Sequence, residues 1–181
     1  SGGTGQYSLS GTWHTLPGNT NTSGVLVGAP DGSPGRLNVR MTYANATLQK
    51  RQDIRTNPVF RFATTTVTVR SADSEGRGIG NDDVLYAADG WHTFGTTGAD
   101  GNTTLELLPK TYTFRLISNG TTRNQVQDIG IDPLVIFTTN TTTVRFADSA
   151  GNGIAGGVVE YYASGWKTFG TTGPDGNVTK E

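Results

Sequence analysis

The chain has 181 residues and a formal charge of −1; only 16% of its residues are charged, against 26 Gly and 30 Thr. That balance excludes the basic footprint of a nucleic-acid binder. No apolar run reaches the ~18 residues of a membrane-spanning helix, and the absence of Cys excludes disulfides, thiol catalysis and Cys-ligated zinc. Hydrophobic residues make up 33%, enough for a core, and abundant β-branched Thr punctuated by Gly favours strands over helices.

In chain order, residues 1–65 read as a partial, divergent unit that lacks its first strand. The chain opens at Ser1 with no Met or leader, as a processed or trimmed chain would. Gly11-Thr12-Trp13-His14-Thr15 resembles Asp89-Gly90-Trp91-His92-Thr93 further on, at a shift of 78, and the stretch after it, up to Pro34, has drifted. Ala44–Gln52 could be drawn as a helix. Its counterpart Asn119–Gln127 contains Asn-Gly and Thr-Thr, so both are read as hairpins.

Residues 66–140 read as one complete unit, with turn signals every 8–12 residues, the spacing expected of an all-β sandwich. Strands are predicted at Thr66–Ala72, Val84–Ala88, Trp91–Gly95, Thr103–Leu108, Thr111–Ile117, Thr122–Ile129 and Leu134–Thr138. Residues 141–181 repeat the first half of that unit. Shifted by 75 positions, 67–106 and 142–181 are identical at 25 of 40 places, without a gap. The same shift places Arg40, Gln52, Pro58 and Phe62 on Arg115, Gln127, Pro133 and Phe137. The links Ala63–Thr66 and Thr138–Thr142 lack Gly and Pro and are rich in β-branched residues, which favours a stiff array.

Within each copy, Asp-x-x-Gly-x-Gly-Ile is followed by Gly-Thr-Thr-x-x-Asp-Gly-Asn; the whole unit continues with Leu-Leu-Pro-x-x-Tyr-Thr-Phe. These motifs resemble the small Ig-like sandwich of CnaB-type and transthyretin-like (carboxypeptidase regulatory-like) repeats of bacterial surface proteins. The resemblance implies tandem β-sandwich repeats of ~75 residues, the period of the internal shift. It also implies that they act as an extracellular, non-enzymatic spacer, stalk or fibre. Many CnaB-type domains cross-link a first-strand Lys to a last-strand Asn or Asp, helped by a Glu. Here Arg70 and Arg145 stand on the first strands, and a guanidinium stays protonated and non-nucleophilic. None of Lys50, Lys110, Lys167 and Lys180 falls on a predicted first strand, so no such bond is expected, and Glu106 and Glu181 read as ordinary strand-edge carboxylates.

Candidate chemistry is sparse. Gly151-Asn152-Gly153-Ile154-Ala155-Gly156 matches a dinucleotide-binding pattern, but a strand follows where that motif needs a helix, so it reads as a turn. His14 and His92 follow Trp, and the third copy has Lys167 there, which suits a tolerant surface position rather than a metal ligand or base. Asp73-Ser74-Glu75 could hold calcium weakly, yet Asp148-Ser149-Ala150 loses a carboxylate, and a turn role is preferred. No metal or cofactor is expected. Trp13, Trp91 and Trp166 recur at one place in each unit. They suit packing in the core or between units, with stacking on sugar rings as the alternative. Asn21, Asn45, Asn102, Asn119, Asn140 and Asn177 each head an Asn-x-Ser/Thr sequon and are candidate glycosylation sites in a secretory setting.

The expected function is a structural building block at the cell surface, with neighbouring repeats or further copies of itself as partners. Residues 141–181 supply the first four strands of a unit and 36–65 supply the last three. Copies could therefore complete one another head-to-tail into a filament, or the chain could be a cut from a longer array. A glycan-binding or adhesive module and an accessory domain of a secreted enzyme are the alternatives.

Overall fold

The computed structural model describes residues 2–28 and 35–181; Ser1 and the stretch ending at Pro34 lie outside them. The described residues form an all-β fold of fifteen strands, and no helix is long and apolar enough to cross a membrane.

The central unit consists of β5 (Thr65–Ala72), β6 (Asp83–Ala87), β7 (Trp91–Thr96), β8 (Asn102–Leu107), β9 (Thr111–Ser118), β10 (Thr121–Asp128) and β11 (Leu134–Thr138). One sheet has the order β10-β9-β6-β7 and the other β11-β5-β8. β6, β9 and β11 bury every second residue, the period of two that a half-buried strand requires. Val67 and Val69, Leu107, and Val135 and Phe137 from one sheet pack against Val84, Tyr86, Phe94, Phe114 and Leu116 from the other. The unit closes through a parallel ladder between its last and first strands, with Val135 opposite Val69 and Phe137 opposite Ser71.

Buried Tyr112 donates its hydroxyl to the Leu108 carbonyl, 3.0 Å away, and so pins the corner that leads into β9. This is the tyrosine-corner geometry of Ig-like sandwiches. Two turns pack backbone to backbone, and this explains the paired glycine motifs. A methyl group on Gly78 would lie 2.1 Å from the Asp100 carbonyl, and one on Gly153 would lie 2.2 Å from that of Asp175. Arg70 donates to the Gly76 carbonyl and Arg145 to that of Gly151, so the first-strand arginines hold these turns in place.

The C-terminal unit contains β12 (Thr142–Arg145), β13 (Val158–Tyr162), β14 (Trp166–Thr171) and β15 (Asn177–Lys180). β12 pairs with β15 and β13 with β14, the pairings that β5–β8 and β6–β7 make one repeat earlier. Even the bulge recurs, between Val84 and Leu85 and between Val159 and Glu160. One buried contact is rebuilt. Ser71 donates to Asp82 in the central unit, whereas Phe146 and Gly157 occupy the corresponding places and the Phe ring lies over the glycine. A small polar pair has been exchanged for a large and a minimal residue of similar combined reach.

The N-terminal unit contains β1 (Thr4–Leu9), β2 (Thr12–Thr15), β3 (Arg36–Tyr43) and β4 (Ala46–Asp53), in the order β2-β1-β3-β4. β3 and β4 fall one repeat before β9 and β10, and the β1–β2 hairpin takes the place of β6–β7. Two sequence expectations are corrected here. Residues 59–63, expected as the closing strand, run without a ladder partner. The unit also lacks a counterpart of β8 among the described residues, since 23–28 are irregular. Both end units therefore carry the same hairpin, so joining them into one sandwich requires one hairpin to give way.

Tyr112→Phe is expected to cost about 1 kcal/mol in urea unfolding, because it strands a buried carbonyl. Gly78→Ala should cost about 2–3 kcal/mol, since backbone cannot yield as a flexible side chain would. Burial first, and then the neighbouring Tyr86, push the Tyr112 hydroxyl up to about 12. In the unfolded chain it ionises near 10. Its stabilising contribution should therefore be complete below pH 10 and decline as pH rises towards 12, a loss that Tyr112→Phe removes.

Candidate functional site

Of the places expected for the recurring tryptophans, the core is not the one they take: they lie on the outer faces of the sheets. Trp91 is 41% exposed and Trp166 72%. β7 alternates, so Phe94 points inward and Trp91 outward. Each complete site has an arginine stacked on the indole, with Arg115 3.8 Å above Trp91 and Arg40 4.1 Å above Trp13. Such a stack offers cation–π attraction and covers part of the ring. Arg40 and Arg115 are themselves one repeat apart, and Trp166 has no such cover. It meets Tyr162 edge-on at 5.7 Å, and that ring is 70% exposed. The C-terminal unit thus presents an aromatic pair where the central unit has Ala87 and a capped Trp91.

The other candidates take structural places. His92 is half-buried, 2.5 Å from Asp89 and against Tyr86, so it is less free than a surface position. That hydrogen bond is the main reason the Asp89 carboxyl sits below its usual range, with a smaller contribution from Asn45. His14 stacks on Tyr7. Asp73 accepts backbone hydrogen bonds from Glu75 and Arg77, and Asp148 from Ala150 and Asn152. Both carboxylates cap their turns. The Gly151–Gly156 run is followed by strand β13. Among the sequons, Asn45, Asn119 and Asn140 are exposed, while Asn102 and Asn177 donate their amides to Asp100 and Asp175. Asn21 is also exposed, but its side-chain oxygen accepts from Ser23 and Val25.

The junctions between units form a second kind of site, one the sequence motifs did not reveal. The β3–β4 turn inserts Ala46 into the central core, flanked by Tyr43, Ala44 and Leu48, and the Tyr86 hydroxyl donates to the Ala44 carbonyl at 3.1 Å. The β9–β10 turn meets the C-terminal unit in the same way, with Ser164 donating to the Gly120 carbonyl. The chemistry differs at corresponding positions. Tyr43, Ala46 and Leu48 become Ser118, Thr121 and Arg123, and the second junction encloses a cavity of about 380 Å³. Glu181 ties that junction together. It accepts hydrogen bonds from Ser74 of the central unit and from Thr139 and Thr141 of the link. Those bonds, Ser74's first, hold its carboxyl at about 2. Glu106 accepts from Thr66 on its own first strand, and hydrogen bonds from Thr64 and Thr66 lower its carboxyl below the usual range.

The third site is the open face of the N-terminal unit. A cavity of about 790 Å³ lies between the inner face of β1 and β3, residues 23–28, and residues 58–63. Among the described residues no cluster of His, Cys, Asp and Glu could hold a metal ion.

Comparison with known proteins finds no matching family model and no matching curated protein. Among solved structures, one similar chain is described as "The Bacillus anthracis TIE protein", at 15% identity and a TM-score of 0.35. The alignment covers 99% of this chain and 39% of that one. Likeness at that level does not define a shared fold; the all-β sandwich assignment comes from the chain's own strand order and core.

The first junction depends on apolar burial and the second on polar contacts. Ala46→Asp should therefore free the N-terminal unit from the central one, seen as shifted Tyr86 and Ala88 amide resonances and a broader interparticle-distance distribution in small-angle scattering. Thr121→Asp, at an exposed position, should leave the second junction unchanged by the same measures.

Proposed function

We propose that the chain is a non-enzymatic structural segment of an extracellular fibre, stalk or surface layer, built from repeats of the CnaB/transthyretin-like kind. Its units stack in line, and the unpaired strand edges at its open ends take up further strands. The observation that carries this reading is that two turns one repeat apart, β3–β4 and β9–β10, each meet the following unit, the first through Tyr86 and the second through Ser164. A hairpin tip seated on the next sandwich fixes the relative orientation of neighbours, as a spacer that must resist bending requires. The second link supports it, since only residues 139–141 separate β11 from β12. The open end faces supply apolar surface and unpaired strand edges, the features through which sheets extend.

One observation favours a second reading, a carbohydrate-binding or adhesive face. Tyr162 and Trp166 form an exposed aromatic pair on the outer sheet surface, and such rings stack on sugars.

Small-angle scattering and negative-stain microscopy across a concentration series separate the two. The structural reading predicts an elongated particle and longer end-to-end assemblies as concentration rises. A compact particle that stays monomeric throughout would contradict it. Glycan-array binding that is abolished by Trp166→Ala, with unchanged thermal unfolding, would instead establish the adhesive reading.

A further inference from the structure

The near-neutral charge of the chain conceals a segregation. Residues 1–64 carry six basic and two acidic side chains, whereas 65–140 carry five and nine. The positive excess therefore belongs to the N-terminal unit, whose strands β1–β4 contain a single acidic residue, Asp53. Arg55 already neutralises that carboxylate, with its Nε and Nη2 at 3.1 and 2.7 Å from the two oxygens.

The outer face of this sheet holds a prepared cation. Leu37 and Val39 are buried, so strand alternation directs Asn38 and Arg40 outward. Gln6 Nε2 donates to the Thr15 hydroxyl at 3.1 Å, which leaves the Gln6 side-chain carbonyl to accept from Arg40 Nε at 2.6 Å. The guanidinium lies 4.1 Å over the Trp13 ring. Its plane and one edge are thus fixed, while among the described residues its two Nη groups take no hydrogen bond. A planar fork of N–H groups matches a carboxylate, and fixing the fork beforehand lowers the ordering cost of binding. Arg51 lies opposite Asn38 on the same face, a diagonal neighbour of Arg40 about 7–8 Å away. Neither arginine forms an ion pair among the described residues.

The central unit repeats the fork without its surroundings. Arg115 lies 3.8 Å over Trp91 and donates its Nε to Asn124 at 3.0 Å. In the matching ladders Leu85, Ala87 and Thr113 stand where the N-terminal sheet has Gln6, Ser8 and Asn38, and Val126 stands where it has Arg51. A structural role for the stack explains the Trp and Arg that both units share. It does not explain why one face is apolar around them and the other is polar and basic.

We infer that the outer face of the N-terminal sheet binds an acidic polysaccharide, a chain of sugar rings that carry carboxylates. Arg40 takes one carboxylate through its two Nη groups and Arg51 takes a second. The side chains of Ser8, Asn38 and Gln49, on the same face, meet the ring hydroxyls between them. A membrane surface fits this face less well, because Trp13 is the one large apolar side chain it offers for insertion, and Arg40 covers that ring. The inference goes beyond both readings above. It concerns a different face from the Tyr162–Trp166 pair and holds whether or not the units assemble end to end.

The test titrates the whole chain with hexagalacturonate and follows it by calorimetry and amide resonances. Saturable binding is expected, weaker as salt rises, with shifts confined to β1–β4. Neutral maltohexaose should not bind. Arg51→Gln, at an exposed position, should weaken binding about tenfold. Arg40→Lys keeps the charge but loses the fork and should weaken it by a similar factor. Arg77→Gln removes the same charge from the central unit and should leave binding unchanged. Thermal unfolding of each variant confirms that the fold is intact. No binding, or wild-type affinity in both Arg51→Gln and Arg40→Lys, would overturn the inference. So would equal loss in Arg77→Gln, or equal affinity for a single-stranded oligonucleotide of the same charge, since either would mean unspecific attraction. Binding to phosphatidylserine vesicles without binding to the glycan would overturn it in favour of a membrane surface. None of these results changes the particle length on which the structural reading stands.

Discussion

The parallel ladder between β5 and β11 is the contact on which each unit depends. It joins the first and last strands, so it forms only when all the intervening chain has folded back, and it seals the side of the sandwich over Phe114 and Tyr112. Where it exists, the core is dry and close-packed, with Val67, Val69, Phe114 and Val135 fully buried. Where it is missing, the same types of residue remain partly wet. The Tyr161–Phe169 pair keeps the 6.3 Å edge-on geometry of Tyr86–Phe94, yet lies half-buried because no counterpart of β9 backs it. Similar local sequence therefore gives matching hairpins and unequal cores.

This separates two levels of organisation. Hairpins and turns are specified locally, by Asn-Gly and Asp-Gly sequences, by aspartates that cap their own turns, and by glycines where two backbones touch. Closure of a unit is specified at long range and needs a strand from elsewhere in the chain or beyond it. The junctions lie between the two levels. At the first junction a hairpin tip, formed locally, inserts Ala46 into the neighbouring unit's core, so that folding one unit helps to order the next. The second junction rests instead on polar contacts, among them those of Glu181 with Ser74, Thr139 and Thr141.

Much of this is legible in the residues. All seven strands of the central unit fall within a residue or so of the places read from alternation and turn spacing, because each is short, amphipathic and bounded by strong turn signals. The internal repeat locates β3, β4 and β12–β15 through their counterparts. Residues 59–63 read as a strand because their sequence matches β11, and only the absent partner, which local sequence does not register, leaves them unpaired. The tryptophans mislead for a related reason. Trp usually signals burial, but the phase of β7 turns it outward, and the stacked arginine that makes this tolerable lies two strands away. The junction turns give no signal, since Ala44 and Asn119 look like ordinary hairpin tips.

The central claim is that, among the described residues, only the middle unit is closed, while the units on either side are folded but open. Native-state hydrogen exchange tests it residue by residue, because protection follows the free energy needed to open each region. The account predicts global-level protection for the Val69, Tyr86, Val135 and Phe137 amides, and markedly lower protection for Val144, Tyr161, Phe60 and Phe62, which occupy the corresponding places in the end units. Equal protection across the three sets would contradict it.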